Sequence, residues 1–327
     1  MTARAFVLES VPGLTQLSDL QDAVCSRDQL RALGVGSDDI AHQVAARRWA
    51  SLGPIVVVLH RGPLSDRARR IGALLHCGAD ATLAAWTALD VLGLRGWERA
   101  ATHVVVARGL APPPVPLQLR PLKLHESRRH HEDDVTTRGG IRVHRAERAA
   151  IDSGAWSDTS RASCGLLAAV VQQRLTTTDL LLALLDTVGA VKRRRLMHHV
   201  LQDIAGGSQA LSEIDFLRFC RKRGLPEPVR QVVRVDSQGR RRYLDIEWRL
   251  PGGRRVWVEI DGIGHMDAAR WYDDLLRTAE IQAVGDDEAP LRLPATACRA
   301  EPDRIEALLR AHLGLVSLST PYVSSRG

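Results

Sequence analysis

Carboxylates alternate with apolar residues on both sides of a Pro-Gly-Gly turn in segment 240–262 of this 327-residue sequence. The alternation and the turn predict a β-hairpin with a three-residue loop at 251–253. This loop sets the strand register and places Asp245 opposite Glu259. Because successive side chains alternate between the two faces of a strand, six residues share one face and the apolar residues share the other. The six are Tyr243, Asp245, Glu247, Trp257, Glu259 and Asp261.

The opposed carboxylates Asp245 and Glu259 indicate what chemistry the hairpin is suited to. Directly opposed Cβ atoms are about 5 Å apart, and like charges at that distance destabilise the strand pair. The repulsion is relieved when water screens the charges, when one carboxyl is protonated, or when a cation lies between them. A divalent cation there would suit metal-dependent phosphodiester hydrolysis. An exposed polar sheet face is the alternative interpretation of the same pattern.

The composition is that of a globular protein with an excess of positive charge. Hydrophobic residues make up 45% of the chain and charged residues 25%, and the formal net charge is +7. This charge favours a polyanionic partner. The five cysteines have no CxxC spacing, so they indicate neither a disulfide framework nor a zinc site. No signal peptide and no membrane-spanning apolar run is recognisable, which predicts a cytoplasmic protein without a membrane partner.

The pattern of the whole chain predicts an α+β multidomain protein. A capping box at Ser26–Gln29 begins one short helix, Ser37 can cap a second, and a buried strand follows at Ile55–Leu59. This order is typical of a winged helix-turn-helix. The predicted regions are a winged helix-turn-helix at 1–64, an α/β domain at 65–148, a helical connector at 149–207, a further α/β domain at 208–316 and a disordered tail at 317–327.

Basic residues indicate where nucleic acid would bind. Arg47 and Arg48 follow the second predicted helix, which would be the recognition helix, and Trp49 comes next. A helical cap without a role in nucleic-acid binding is the alternative. Further along the chain, segment 126–138 is predicted as a solvated basic loop, with phosphate contact as the alternative. The cluster Lys192–Arg195 is interpreted either as a solvated helix face or as a contact with a phosphate backbone.

Motif residues in the last region resemble the very-short-patch-repair-like domain of the PD-(D/E)xK endonuclease superfamily. The similarity covers roughly Gln209–Leu313. Together with the first region, the chain resembles actinobacterial proteins that join an AbiEi-antitoxin-like winged helix to such a nuclease-like domain. The residues that carry the resemblance in the last region are Ser212, Glu213, Pro226–Pro228, Gln231, Tyr243–Asp245, Val258–Gly262, His265, Asp274, Arg277 and Leu291–Pro294.

The resemblance implies a restriction-endonuclease-like α/β fold and a role for each site residue. Asp245 and Glu259 would bind Mg²⁺ or Mn²⁺, and Glu213 would complete the metal shell. His265 would act as the general base or hold the attacking water. Phosphate contacts near this site would come from basic residues. These are Arg240, Arg241, Arg242 and Arg277.

The chain departs from the superfamily pattern at Asp261. The pattern has lysine there, which steadies the nucleophile and the negative charge that develops on the phosphate. No lysine follows Lys222 in this sequence. An aspartate can instead add a metal ligand, and the very-short-patch-repair branch uses histidine in place of the lysine. Asp261 is therefore a candidate catalytic residue, and a nuclease fold kept only for binding is the alternative.

Two functions of different classes follow from these features. The first is a metal-dependent DNA endonuclease whose winged helix also binds DNA. The second is an AbiEi-like antitoxin or transcriptional regulator with an inactive nuclease-fold domain and a cognate toxin protein as partner. An RNA-directed nuclease is a third candidate, because nothing in the sequence identifies the sugar.

Overall fold

The chain is described by a computed structural model and folds into two compact units, Met1–Asp152 and Ser153–Gly327. Helices and sheets occur in both units, so the protein is of the mixed α+β class. For residues 206, 209–215, 230–235, 241–245 and 261 the backbone alone is described. The described residues are 11–109, 112–206, 209–235, 241–261, 276–280, 291–294 and 297–315.

The first part of unit one combines short helices with a three-stranded antiparallel sheet. Its elements are α1 (Leu14–Leu20), β1 (Val24–Ser26), α2 (Arg27–Ala32), α3 (Ser37–Ala45), β2 (Ala50–Leu52) and β3 (Val56–Val58). The strand order is β1-β3-β2. The predicted capping box is confirmed, since the Gln29 N–H donates to Ser26 Oγ at 3.0 Å and the Ser26 N–H donates to Gln29 Oε1 at 2.8 Å. Trp49 is 1% exposed and belongs to the hydrophobic core, so its ring is not available to nucleic acid.

The second part of unit one is a five-stranded mixed sheet with helices. Its elements are α4 (Asp66–Cys77), β4 (Thr82–Leu83), α5 (Ala85–Leu92), β5 (Thr102–Ala107), β6 (Leu122–Ser127), β7 (Val135–Arg138) and β8 (Ile141–His144). The strand order is β6-β5-β4-β8-β7, with β5 parallel to β6 and β4 parallel to β8. Val104, Val105 and Val106 of β5 are fully buried, so the centre of this sheet forms part of the core.

Segment 126–138 is solvated in part, as its composition predicts, but some of its side chains contact buried residues. His130 Nδ1 lies 3.3 Å from Nε2 of the fully buried His144. Arg148, in α6 (Ala146–Trp156), is 2% exposed and donates from Nη1 to Asp134 Oδ2 at 2.6 Å. The same nitrogen donates to a backbone carbonyl of the segment at 2.6 Å. His130 and Asp134 therefore connect this partly exposed segment to the interior of unit one.

A second pair of histidines lies on the neighbouring strands β5 and β6. His103 Nδ1 is 3.0 Å from His125 Nε2, and the two rings are stacked with their centroids 5.2 Å apart. Burial, followed by the positive charges of His125 and Lys123, lowers the pKa of His103 to about 4. Burial also lowers the pKa of His125. Both rings are therefore neutral at pH 7, and one donates its N–H to the other.

We expect unit one to lose stability as the pH falls from about 6.5 toward about 4. The unfolded chain binds a proton at His103 near pH 6.5, whereas the folded chain binds it only near pH 4, so acid favours the unfolded state. This one group contributes up to about 3 kcal/mol across that window. Hydrogen exchange in peptides of unit one, compared at pH 7 and at about pH 4.5, measures the change.

The matched variants for this prediction are His103→Asn and His42→Asn. The first removes the buried ring and should flatten the pH dependence. The second removes an exposed histidine of α3 and should leave the wild-type profile unchanged. Equal profiles for wild type and His103→Asn would contradict the assignment of the pH dependence to His103.

Unit two begins with a helical region in which half of the predicted basic cluster Lys192–Arg195 is bound to the backbone. The helices that follow α6 are α7 (Ser160–Gln172), α8 (Thr178–Thr187) and α9 (Arg194–Gly206). Arg193 donates to the carbonyls of Ala155 and Asp158, each at 3.1 Å. Arg194 donates to two further carbonyls at 2.6 and 3.0 Å. These two arginines join helix ends and are not a freely solvated face.

The last part of unit two is a four-stranded sheet with helices. Its elements are α10 (Gln209–Lys222), β9 (Val229–Val235), β10 (Arg241–Arg249), β11 (Arg255–Asp261), β12 (Leu291–Pro294), α11 (Ala297–Ala300) and α12 (Pro302–His312). The strand order is β12-β11-β10-β9, in which β9 to β11 are antiparallel and β12 runs parallel to β11. The Phe216 ring of α10 contacts the Trp248 ring with centroids 6.0 Å apart, so α10 covers the apolar face of the hairpin.

Three sequence expectations concern general properties of the chain. Within the described residues, no helix is long and apolar enough to cross a membrane. All five cysteines are free thiols, and four of them are buried. The predicted tail at 317–327 lies outside the described residues.

Candidate functional site

The hairpin formed by β10 and β11 has the register that its turn predicts. Ile246 pairs with Val258, and the pairing continues to Arg249 opposite Arg255. The turn occupies 251–253, where both glycines have positive φ angles, of 83° and 84°. Residues with a Cβ atom rarely adopt this conformation, so the two glycines allow the tight reversal that fixes the register.

The two strands part at the end of the hairpin that carries the candidate carboxylates. Over the described backbone, the pairing between β10 and β11 ends at Ile246 and Val258. On their outer sides, β10 pairs with β9 and β11 pairs with β12, and these pairings extend past that point, to Arg241 in β10 and Asp261 in β11. Asp245 and Glu259 are the first residues past the last pair. The strands therefore diverge where these two residues would otherwise oppose each other.

The carboxylate face is buried where the hairpin strands are paired, so the alternative of an exposed polar face is wrong there. Glu247 is fully buried, and Trp257 opposite it is 6% exposed. Glu247 Oε1 accepts a hydrogen bond from Nε of Arg249 at 2.6 Å. Its Oε2 has no hydrogen-bond partner among the residues that the structure describes. A buried carboxylate oxygen without a donor is costly, and a cation bound nearby would relieve that cost.

Glu259 is paired with a cation from the neighbouring strand. Its Oε2 accepts a hydrogen bond from Nε of Arg292 at 3.1 Å, and the two residues are register partners in the β11–β12 pair. The Glu259 side chain is 27% exposed and the Arg292 side chain 57% exposed. Although no lysine follows Lys222, a positive charge does lie beside the candidate acid.

The structure describes the other predicted site residues to different extents. Arg277 is exposed in the helical stretch 276–280. Arg240 and His265 lie outside the described residues. The residues with a described backbone alone are Glu213 in α10, Arg241, Arg242 and Asp245 in β10, and Asp261 in β11. One end of the sheet thus brings together the strand positions of Asp245, Glu259 and Asp261.

The carboxylates at this end of the sheet are chemically suited to a hard divalent cation. Mg²⁺ and Mn²⁺ prefer carboxylate oxygens, and Glu259 together with the unsatisfied Oε2 of Glu247 offers donors of that type. No group of three His, Cys, Asp or Glu side chains that could hold a metal is found within the described part of the chain. A complete metal shell would therefore need the side chains of Asp245 and Asp261 as well.

The two arginines predicted to bind nucleic acid in unit one differ in how they are held. Arg47 is exposed and follows α3 with a φ angle of 55°. Arg48 is exposed too, but its Nε donates to Gln43 Oε1 at 2.6 Å. The start of α3 exposes the carboxylates Asp38 and Asp39. Positive charge is therefore available at the C-terminal end of this helix, whereas its N-terminal end is acidic.

No protein-family model matches the chain, and a search of curated proteins found no match either. The fold defines a two-unit α+β protein. The carboxylate end of its four-stranded sheet is the part of the fold best suited to chemistry.

Two residues at this site, Arg292 and Glu247, have no role in the sequence prediction. Arg292 lies 33 residues beyond Glu259, and only the parallel pairing of β12 with β11 brings them together. The signal for Arg292 is weak, since it is one charged residue within a short apolar strand. The signal for Glu247 is stronger, because it shares a predicted face with Asp245 and Glu259. Its complete burial depends on tertiary packing.

Proposed function

We propose that the protein is a metal-dependent endonuclease that hydrolyses phosphodiester bonds of DNA at the carboxylate end of its four-stranded sheet. The observation that carries the proposal is the divergence of β10 and β11 at Asp245 and Glu259. The resemblance of the region from Gln209 to Leu313 to the PD-(D/E)xK superfamily implies a restriction-endonuclease-like fold. The order of α10, three antiparallel strands and a parallel fourth strand supports that fold.

In this proposal each residue acts on the metal, the water or the phosphate. The bound ion would supply a nucleophilic water and stabilise negative charge on the phosphate. His265 accepts a proton from the attacking water. Arg292 offsets the negative charge that develops on the phosphate, which is the role of lysine in the superfamily pattern. The carboxylates proposed to hold Mg²⁺ or Mn²⁺ are Asp245, Glu259, Glu213 and Asp261.

Calorimetric titration of Mn²⁺ into wild type and Glu259→Gln tests the metal site. We expect wild type to bind the ion and the variant to bind it at least about tenfold more weakly, because a neutral amide is a poorer ligand than a carboxylate. The same samples are then incubated with supercoiled and with mismatched DNA. Nicking that requires the metal would support the endonuclease. Absence of both binding and nicking would overturn it.

The first part of unit one, the predicted region 1–64, is proposed to be a DNA-binding winged helix-turn-helix. The order of its helices and strands and the sheet order β1-β3-β2 support this assignment, with α3 as the recognition helix. Because Asp38 and Asp39 repel phosphates, contacts would come from the basic residues after α3 and β3. These are Arg47, Arg48 and the exposed Arg61.

The alternative function is an AbiEi-like antitoxin or transcriptional regulator, and one observation favours it. The Glu259 carboxylate already has a cationic partner in Arg292, so it is satisfied without a metal. In this alternative, unit one binds operator DNA and unit two contacts a protein such as a cognate toxin. Specific DNA binding without metal-dependent nicking would support it.

We expect Arg47→Ala to weaken DNA binding about tenfold and to lower the salt dependence of binding by about one counterion. The exposed guanidinium is placed to contact a phosphate, and removing it loses one charge-assisted contact. Fluorescence anisotropy over a range of salt concentrations in EDTA measures both quantities. Loss of binding with retained nicking would assign DNA recognition to unit one.

The control for this prediction is Arg138→Ala. Arg138 is an exposed arginine of the same unit, but it lies on β7 of the other sheet. We expect this variant to bind DNA as wild type does. Equal effects of the two substitutions would mean that net charge, and not the surface beside α3, determines DNA binding.

A further inference from the structure

A cavity of about 470 Å³ lies in unit two among α9, α10, α11 and the ends of β11 and β12. Ile260 contributes to its wall. Side chains alternate along β11, so Ile260 and Glu259 point to opposite faces of the sheet. The cavity therefore lies on the opposite side of β11 from the candidate carboxylates and is not part of the proposed reaction site.

The lining of this cavity is strongly basic. Among the described residues that form it, six carry basic side chains and none carries a carboxylate. Five of them are arginine or lysine, and positive charges gathered around one opening attract an anion, so the arrangement favours an anionic occupant. The six are Arg195, His199, Arg218, Lys222, Arg223 and Arg299.

Two of these cations are held in place by carboxylates that do not line the cavity. Arg223 Nη1 lies 2.8 Å from Asp303 and 2.8 Å from Glu306. Arg299 Nη1 lies 3.3 Å from Asp203. Within the described residues, Arg223 uses only Nη1 in these contacts, so its Nε and Nη2 donors are available to a ligand. The pairing orients the guanidinium before any ligand arrives.

The cations at the rim are not neutralised in the same way. Arg195 and Lys222 are exposed and form no ion pair with any residue that the structure describes. The pKa of the neighbouring His199 is affected by the positive charges around it. Burial, followed by the charges of Arg299 and His198, lowers the pKa of His199, so this ring is neutral at pH 7.

The inner part of the cavity is apolar. Phe216 and Phe219 of α10 and Leu293 of β12 line it, and the Arg223 guanidinium carbon lies 5.8 Å from the centre of the Phe219 ring. A pocket of this size with apolar walls and a few convergent cations suits a small ligand that has both a ring and a charged group. Arginine is especially suited to a phosphoryl group, because its planar fork can donate two hydrogen bonds.

We propose that this cavity binds a nucleoside phosphate, with the phosphoryl group against Arg195, Lys222 and Arg223 and the ring against the apolar walls. The phosphate belongs either to a free mononucleotide or to the 5′ end of a DNA strand. The site is separate from the proposed endonuclease reaction, because it occupies the other face of β11.

Calorimetric titration of deoxyadenosine monophosphate into the full chain, in EDTA and low salt, tests this site. We expect the protein to bind deoxyadenosine monophosphate. It should bind deoxyadenosine at least about tenfold more weakly, because the nucleoside lacks the phosphate. The double variant Arg195→Ala/Lys222→Ala should also bind at least tenfold more weakly. The control Lys192→Ala/Arg255→Ala removes one lysine and one arginine that are exposed in the same unit but outside the cavity, and it should bind as wild type does.

Oligonucleotides with and without a 5′ phosphate distinguish the two sources of the phosphoryl group. Tight binding of the mononucleotide, or of the 5′-phosphorylated strand alone, supports the site, provided the double variant loses it. Equal binding of deoxyadenosine, unchanged binding by the double variant, or failure of both phosphorylated probes would overturn it. So would loss of binding in Glu259→Gln. Melting followed by circular dichroism confirms that each variant is folded, and EDTA keeps the result independent of nicking.

Discussion

Replacement of Glu259 by glutamine is expected to lower metal-dependent nicking of supercoiled DNA by at least about 100-fold. The amide has nearly the same size as the carboxylate but lacks the charge that would hold the metal. The fold should be nearly unaffected, because the Glu259–Arg292 pair has side chains that are 27% and 57% exposed. Such partly solvated pairs contribute at most about 1 kcal/mol. Gel analysis of nicking and urea unfolding of the same samples measure the two effects.

The control for this substitution is Glu280→Gln. Glu280 is also ion-paired, with Arg304 Nε at 2.7 Å, but it lies in the helical stretch 276–280 and not on the sheet. This variant should nick DNA as wild type does. Equal nicking by wild type and Glu259→Gln would remove Glu259 from the site.

The effect of Asp245→Ala on cleavage and on folding is a second test of the carboxylate site. Asp245→Ala should abolish cleavage and leave the protein folded, since it removes one of two like charges near the point where β10 and β11 diverge. If Asp245→Ala unfolds instead, this carboxylate is structural and its assignment to the metal site fails.

Replacement of Arg148 by methionine is expected to destabilise unit one by about 3–5 kcal/mol. Arg148 is 2% exposed and donates from Nε to Asp152 Oδ2 at 2.9 Å and from Nη1 to Asp134 Oδ2 at 2.6 Å. Asp152 is 4% exposed. Burial alone would raise its pKa, but the His144 ring, whose Nδ1 lies 3.5 Å from Asp152 Oδ2, and the charge of Arg148 outweigh burial and hold the pKa below its usual value. Without Arg148, a buried carboxylate loses its main countercharge.

Urea unfolding at pH 7, read by hydrogen exchange in α6 and β8, measures this loss. The control is Arg142→Met, which breaks an ion pair with Glu132 whose side chains are 33% and 73% exposed. That variant should cost at most about 1 kcal/mol. Adding Asp152→Asn to Arg148→Met should recover part of the lost stability, because the unpaired charge disappears. Similar losses for the two arginine variants would contradict the structural role of Arg148.

Local sequence signals were sufficient for the hairpin and for the start of α2. The 251–253 turn sets the β10–β11 register, because its two glycines can adopt the positive φ angles of a tight reversal and strand alternation admits one burial pattern. The Ser26–Gln29 capping box depends on residues three apart and was recognisable for the same reason. In both cases the residues that decide the structure are neighbours in the chain.

The features that give the candidate site its character depend on contacts between distant segments. The end of the β10–β11 pairing at Ile246 and Val258 is visible only in the folded sheet, and the Glu259–Arg292 pair requires the parallel register of β12. The burial of Glu247 follows from packing that alternation along one strand cannot reveal. Trp49 illustrates the same limit, since its place beside two arginines suggested a surface that its burial in the core excludes.

Neither the polar interior of unit one nor the basic cavity of unit two could be predicted from the sequence, because each brings together residues from separate segments. From the sequence alone, a charged or imidazole side chain is predicted to be exposed, because burying such a side chain without a partner is costly. Arg148 is buried because Asp134 and Asp152 meet it from separate segments. The cavity likewise unites Arg195 of α9 with Lys222 of α10 and Arg299 of α11. Sequence patterns report which residues share one helix or strand face, whereas the distances between elements follow from how those faces pack.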